Sequence, residues 1–159
     1  MIQNNINKIL WDADTGLYMA ATIQCRQPDI WGSAFAVWLG VASPEQAQRI
    51  SQYFKNHYQE ICQKGQIRHL PGGMYWEKGC PRDTYQNWAY WATPAGWFSH
   101  TLALTDKNLA RQTIVAIVMD FRERGICEWI IGNKTQLPGY VASATMPLQG
   151  VRELLEDRK

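Results

Sequence analysis

Two helix starts that lie 63 residues apart constrain the fold of this chain more than any other feature. Ser43-Pro44-Glu45-Gln46 offers a hydroxyl cap, a proline at the first helical position and a glutamine three residues after the cap. This combination satisfies the free N–H groups of a first turn. Asp106 offers a carboxylate cap to a second helix, which a glycine at position 125 would end. The pattern predicts two amphipathic helices, over about 44–64 and 106–124.

Each amphipathic helix follows a segment that is apolar nearly all round, Ile30–Val41 in the first case and Trp88–Leu104 in the second. A helix with this composition is buried on more than one side, so both are predicted to be inner helices. A third inner helix is predicted from about Val141 to Glu156. Shifting one unit by 63 residues also aligns Ala47 with Ala110, although a chance match is the alternative.

Inner and outer helices in alternation predict an all-α fold of the (α/α) toroid type. At this spacing the chain holds about two and a half to three helical hairpins in a single domain, residues 1–159. Long glycine-containing connections, 65–84 and 125–140, separate the helices. Short strands are expected there around Ile67–Leu70 and Cys127–Ile131. Connections of this length inside a compact domain are usually functional.

Composition narrows the classes of partner. The chain of 159 residues has a net charge of only +2, which argues against a nucleic-acid or anionic-membrane surface. Its four cysteines form no C-x-x-C pair, so neither a metal site, a cofactor nor a disulfide framework is predicted. The first residues lack the features of a secretory signal, which predicts a cytoplasmic protein unless a longer parent carries its own leader.

The stretch Tyr85–Phe98 concentrates aromatic rings and amides, with three tryptophans in ten residues. Flat rings offer an apolar face to the C–H groups of a sugar, while Gln86 and Asn87 can hydrogen-bond its hydroxyls. The alternative is a buried aromatic cluster. Eight tryptophans and seven tyrosines in the whole chain favour a saccharide ligand.

Three segments resemble the six-hairpin glycosidases, a group that includes the processing α-glucosidases, glycogen-debranching glucosidases and α-L-rhamnosidases. The first is Trp11-Asp12-Ala13-Asp14-Thr15-Gly16-Leu17-Tyr18, and the second is Tyr85-Gln86-Asn87-Trp88 with Thr93-Pro94-Ala95-Gly96-Trp97-Phe98. The third runs from Gly125 through Glu128 and Trp129 to Ala144. Trp88 stands where the family usually has glycine, and Pro94-Ala95 is inserted before Gly96. Six hairpins need more than twice this length, so the resemblance is to a C-terminal portion of such an enzyme.

The resemblance implies an inverting glycoside hydrolase, which needs a general acid and a general base. Glu128 is the candidate base, and a salt-bridge or capping role is the alternative. Glu77 and Asp83 are candidate acids on the loop before the aromatic stretch, with Asp29 as a third. The acid of the family lies in the N-terminal half, so this chain can also lack one.

Several aromatic and polar side chains are candidate sugar-binding residues. Trp76, Trp88 and Trp129 are predicted to stack on sugar rings, and Trp38 and Trp97 to lie in the core. The full set of predicted substrate-binding residues is Trp76, Tyr85, Gln86, Asn87, Trp88, Trp91, Trp129 and His69.

Two other functions are open at this stage. A non-catalytic carbohydrate-binding or interaction module would keep the aromatic wall without the acid. Another toroid relative, such as a sugar epimerase or a terpenoid cyclase, would need paired inner histidines or an Asp-rich motif, and the sequence has neither. An open arc of hairpins leaves apolar inner helices without neighbours, which predicts self-association or association with the missing half of a toroid.

Overall fold

The computed structural model describes residues 2–156, except for the side chain of Leu154. Roughly half of this part of the chain is helical, which confirms the all-α character. The helices are α1 (Ile2–Leu10), α2 (Ile30–Trp38), α3 (Pro44–Asn56), α4 (Tyr58–Ile61), α5 (Ala95–Leu102), α6 (Lys107–Arg124), α7 (Val141–Thr145) and α8 (Leu148–Glu156).

Short strands pair into antiparallel hairpins between the helices. They are β1 (Trp11–Asp12) with β2 (Leu17–Tyr18), β3 (Cys62–Gln63) with β4 (Gln66–Ile67), and β5 (Cys127–Ile131) with β6 (Lys134–Pro138). The strand predicted over Cys127–Ile131 is confirmed, and the one predicted over Ile67–Leu70 is reduced to its first residue within β4. No helix in the described ranges combines the length and apolar character needed to cross a bilayer.

Helix α5 lies at the centre of the arrangement. It packs between α2 and α8, while α3 and α6 pack against it from outside. Close approach of α5 and α8 depends on Gly96 and Gly150, because a Cβ on Gly150 would lie 3.2 Å from the Cα of Gly96. The predicted alternation of inner and outer helices, and its closure into a toroid, stay predictions.

The core lies between α2, α3 and α5. Phe54 and Phe98 stack there with their ring centroids 4.6 Å apart, and both are fully buried. Trp97 is half-buried against this core. Trp38 was predicted to be core and is instead exposed, stacked on Phe35 at the outer edge of α2.

Both predicted helix caps are present. Ser43 and Gln46 form a reciprocal capping box, in which the Gln46 N–H donates to Ser43 Oγ at 3.2 Å and the Ser43 N–H donates to the Gln46 side chain at 2.8 Å. Asp106 accepts from the Leu109 N–H at 3.0 Å, and Gly125 ends α6 with φ +79°. These caps use contacts within four residues, which explains why the sequence predicts them.

Three predicted helices differ from the structure. The helix predicted over 88–104 begins only at Ala95, because Pro94 disfavours a helical residue before it and residues 90–91 pair in extended form with Ile67 and Ile130. The helix predicted over 141–156 breaks at Pro147 into α7 and α8. The helix predicted over 44–64 ends at Asn56, followed by the short α4.

Gly65, the residue after the predicted helix, lies in the turn between β3 and β4. The hairpin docks on α6 through buried Asp120, which accepts from Gln66 Nε2 at 2.9 Å and from Arg124 Nη2 at 2.5 Å. Lys64 adds a third partner, with its Nζ 3.5 Å from Asp120 Oδ1. This network fixes the position of β4, and therefore of the segment that follows it.

Candidate functional site

A pocket of about 150 Å³ opens at one end of the inner helices. Trp31 is the second residue of α2, Thr93 precedes α5, and Tyr140 caps α7, so the N-terminal ends of these helices border the same space. The nine lining residues are Trp31, His69, Tyr85, Gln86, Trp91, Thr93, Glu128, Tyr140 and Ala142. The pocket thus collects side chains from five separated segments of the chain.

Glu128 provides the acidic group of this pocket. It lies in β5 with only 7% of its surface exposed, and its Oε1 accepts a hydrogen bond from the Tyr85 hydroxyl at 2.5 Å. The same bond raises the pKa of Tyr85 to about 12, because the neighbouring carboxylate disfavours a phenolate. Tyr85 therefore stays a hydrogen-bond donor at neutral pH and fixes one oxygen of Glu128.

Two indoles and an imidazole form the aromatic wall. The rings of Trp31 and His69 stack with centroids 3.6 Å apart, and Trp91 meets both edge-on, at 5.4 and 5.2 Å. Trp31 Nε1 donates to the Ile67 carbonyl at 3.2 Å, which holds its ring in place. Burial lowers the pKa of His69 to about 3, so its imidazole is neutral. Its Nδ1 is buried without a hydrogen-bond partner among residues 2–156.

Asn87 lies outside the pocket and holds the preceding loop. It is 2% exposed, and its Oδ1 accepts from the Trp76 N–H at 2.8 Å. Its Nδ2 donates to the carbonyls of Trp76 at 3.1 Å and of Cys80 at 2.8 Å. The Asn87 side-chain amide, which was predicted to bind a sugar hydroxyl, therefore makes its hydrogen bonds to backbone groups of the loop. Asn87 instead positions Trp76, whose ring lies 4.9 Å from His69.

Trp88 and Trp129 also lie outside the set of lining residues. Trp88 follows a 3-10 turn over Tyr85–Asn87 and is 41% exposed, with its ring over the Arg68 guanidinium. Trp129 is half-buried next to Tyr85, with centroids 6.4 Å apart. Of the three tryptophans predicted to stack on sugar rings, only Trp76 contacts the aromatic wall, through the ring of His69.

The candidate acids do not line the pocket. Glu77 is exposed, and its carboxylate accepts from the Cys25 N–H at 2.6 Å and from Gln27 Nε2 at 3.2 Å. The bond from the Cys25 N–H is the largest of several that hold the pKa of Glu77 below its usual range. Asp83 is exposed at φ +59°, with its Oδ2 3.9 Å from Arg82 Nε.

Asp29 differs from these two in its surroundings. It caps α2 by accepting from the Trp31 N–H at 3.0 Å, beside a residue that lines the pocket. Burial raises the pKa of Asp29 to about 6, and the hydrogen bonds from Gly32 and Trp31 offset only part of this effect. Among the lining residues themselves, Glu128 alone carries a carboxyl group.

Sequence reasoning missed part of the lining. Trp31 was not selected, although its position at the start of an apolar helix behind an Asp cap was a usable signal. Tyr140 lies between Gly139 and α7, and Thr93 lies just before Pro94. Neither a tyrosine nor a threonine at such a position indicates a ligand site by itself. These residues enter the site because the three inner helices begin at the same end.

Comparison with known proteins finds a similarity to a trehalase. No protein-family model and no solved structure matches this chain. The "Cytosolic neutral trehalase" of Kluyveromyces lactis is 28% identical over 107 residues. The match covers 65% of this chain and 13% of the trehalase, so the chain corresponds to a small part of that enzyme's length. The similarity is to a glycosidase.

Proposed function

We propose that this chain is a glycoside hydrolase-like domain that acts on an α-linked glycoside, with Glu128 as the general base. One observation carries the proposal: Glu128 is buried in an aromatic pocket with one oxygen fixed by Tyr85. Similarity to a trehalase supports the same class of reaction. The proposal treats residues 1–159 as one domain built on a partial toroid.

The lining suits a neutral sugar. Indoles of Trp31 and Trp91 offer apolar surface to C–H groups, while Gln86, Tyr140 and Thr93 offer hydrogen-bonding groups to hydroxyls. His69 is neutral and adds an unpartnered ring nitrogen. Glu128 is the only acidic residue in this lining, which has no lysine or arginine, and this composition favours an uncharged ligand.

In the proposed inverting reaction, Glu128 takes a proton from a water molecule as that water attacks the anomeric carbon. Tyr85 holds Oε1, and we assign Oε2 to the water. A carboxylic acid protonates the leaving oxygen from the other side, at a carboxyl separation of about 6.5–9.5 Å.

Asp29 is the acid candidate that we favour. Its raised pKa keeps the Asp29 carboxyl group protonated in a fraction of the molecules near pH 6, whereas the pKa of Glu77 is lowered. Asp29 also adjoins Trp31, which lines the pocket. Glu77 and Asp83 would require the loop over 71–84 to bring them into the pocket.

Hydrolysis assays test this proposal. Trehalose and a panel of α-linked glucosides, mannosides and rhamnosides are incubated with the wild-type chain, and released sugar is measured. Glu128→Gln should lower kcat by about 10²–10⁴-fold, the usual contribution of a general base. Glu123→Gln, an exposed change of the same chemistry on α6, should leave kcat unchanged. Turnover that survives Glu128→Gln excludes Glu128 as the base.

A non-catalytic carbohydrate-binding module is the second candidate. The observation that favours it is the single carboxyl group among the lining residues. In this case the chain would turn over none of the glycosides, yet a sugar would quench tryptophan fluorescence with saturation. Loss of quenching in Trp31→Ala would then assign binding to this pocket.

We further propose a cytoplasmic setting and an association between copies of the chain or with a larger toroid. The four cysteines are free thiols, and the similar trehalase is named as cytosolic. Exposed apolar faces on α2 and α6 support the association.

A further inference from the structure

Arg68 is a buried cation that has no counter-ion in the part of the chain that the structure describes. It is 6% exposed, and its Nε is buried without a hydrogen-bond partner among residues 2–156. Within the same ranges it takes part in no ion pair. A charge removed from water is costly unless an opposite charge or hydrogen bonds compensate it.

Two aromatic rings compensate only part of that cost. The guanidinium carbon lies 5.5 Å from the ring centroid of Trp88 and 5.7 Å from that of Tyr90, which is cation–π distance. The Tyr90 hydroxyl donates to the Glu60 carbonyl at 3.0 Å, so it is fixed. The nearby Glu60 carboxylate is used elsewhere, by the Gly72 N–H and by His57. The rings therefore orient the guanidinium and leave its buried Nε without a hydrogen-bond partner among the described residues.

This cluster is separate from the Glu128 pocket. His69 and Trp91 line that pocket, whereas Arg68, Trp88 and Tyr90 are not among its lining residues. The Arg68 guanidinium instead lies over the rings of Trp88 and Tyr90.

We propose that Arg68, Trp88 and Tyr90 form a binding site for an oxyanion, the phosphate or carboxylate group of a small molecule. Unlike Nε, the two Nη groups are not buried, and they donate to no residue within 2–156, so the terminal edge of the guanidinium can receive two oxygens side by side. Trp88 is the outermost of the three side chains, so its indole borders the bound group and reports on it. The site does not depend on the function proposed for Glu128.

Titration calorimetry with inorganic phosphate, glucose 6-phosphate, glucuronate and glucose tests the site. The wild-type chain should bind at least one of the anions and not glucose at this site. Arg68→Gln should weaken anion binding by about thirtyfold or more, as expected on removing one partner of a buried charge pair. Arg111→Gln, which changes an exposed arginine on α6, should bind like the wild-type chain.

The relative affinities of these anions show whether the bound oxyanion is a free ion or part of a sugar. Tighter binding of glucose 6-phosphate than of phosphate assigns a sugar-borne anion, and equal affinity assigns the free ion. Absence of saturable binding for all three anions overturns the proposal, as does unchanged affinity in a folded Arg68→Gln chain.

A second measurement keeps Arg68 in place, because replacing a buried arginine can unfold the chain. An anion that binds should change the tryptophan fluorescence of the wild-type chain, and this change should be absent in Trp88→Phe. An equal change in both chains contradicts a site beside Trp88.

Discussion

Asp29 and His69 respond to burial with opposite proton linkages. The pKa of Asp29 rises from 3.8 to about 6 in the folded chain, so the folded state holds more protons than the unfolded state between these values. The contribution of Asp29 to stability is therefore largest at low pH and is lost as the pH rises from about 4 to about 6. The loss amounts to at most about 3 kcal/mol.

Asp29→Asn should remove this loss, since asparagine also caps a helix well. We expect the free energy of unfolding of the variant, relative to the wild-type chain, to increase between pH 4 and pH 7. Urea unfolding at a series of pH values measures the difference. A constant difference across this range would show that the Asp29 pKa is ordinary.

Burial shifts the pKa of His69 in the opposite direction, so His69 provides a comparison within the same chain. Its pKa falls from 6.5 to about 3, so acid protonates the unfolded state first and stability decreases below about pH 6.5. His69→Gln should flatten this acid loss. The two slopes have opposite signs, and only the separate variants resolve them.

The sequence predicts about half of the residues that line the pocket. Glu128, Tyr85, Gln86, Trp91 and His69 were candidates from the sequence, and the structure brings all five to one pocket. Whether they bind or cleave a sugar stays a prediction. Asn87 belongs to the same motif and faces a loop, because the direction of a side chain depends on a 3-10 turn that the sequence does not signal.

At the scale of the element, Gly65 is the glycine whose replacement should cost most. It has φ +76°, and a Cβ there would lie 2.3 Å from the Thr113 carbonyl oxygen and 2.6 Å from the Ile117 nitrogen. Backbone atoms of a helix cannot move aside easily. The turn between β3 and β4 therefore packs directly against α6.

Gly65→Ala should destabilise the chain by about 2–4 kcal/mol, from the clash together with the strained backbone. Gly73→Ala is the matched control, with the same φ of +76° and no atom within 4 Å of its Cβ. It should cost only about 1 kcal/mol, which is the conformational term alone. Denaturant unfolding compares them, and equal losses would mean that the contact with α6 does not matter.

Elements that end through local contacts are predictable, and those that end through distant partners are not. The capping box at Ser43 and the glycine end of α6 are local features. An apolar run such as 88–92 suits a buried helix or a buried strand equally well. Here the structure is decided by pairing of Tyr90 with Ile130 and of Trp91 with Ile67, which lie 40 and 24 residues away.

At the scale of the whole molecule, the exposed surface of α6 includes an apolar patch beside its polar residues. Val115, Val118 and Met119 are each about half exposed and line a groove with Val151 and Leu155 of α8. Exposed apolar surface of this kind favours association.

Val118→Lys combined with Met119→Lys should shift the chain towards the monomer in sedimentation velocity runs over a range of concentrations. Gln112→Lys adds a similar charge to an exposed position of α6 and should change association little. A wild-type chain that sediments as a monomer at high concentration would contradict the predicted self-association.

The pocket is made of segments that meet only in the finished fold, from Trp31 to Tyr140. A ligand that binds it must therefore hold α2, α5 and α7 together, and it adds its binding free energy to the stability of the whole chain. At a concentration 100 times its dissociation constant, this addition is about 2.7 kcal/mol. Each kcal/mol raises the melting temperature of a chain of this size by roughly 2–4 °C. A melting screen across a sugar collection would therefore detect any saccharide that binds this pocket, even if the chain hydrolyses none of them.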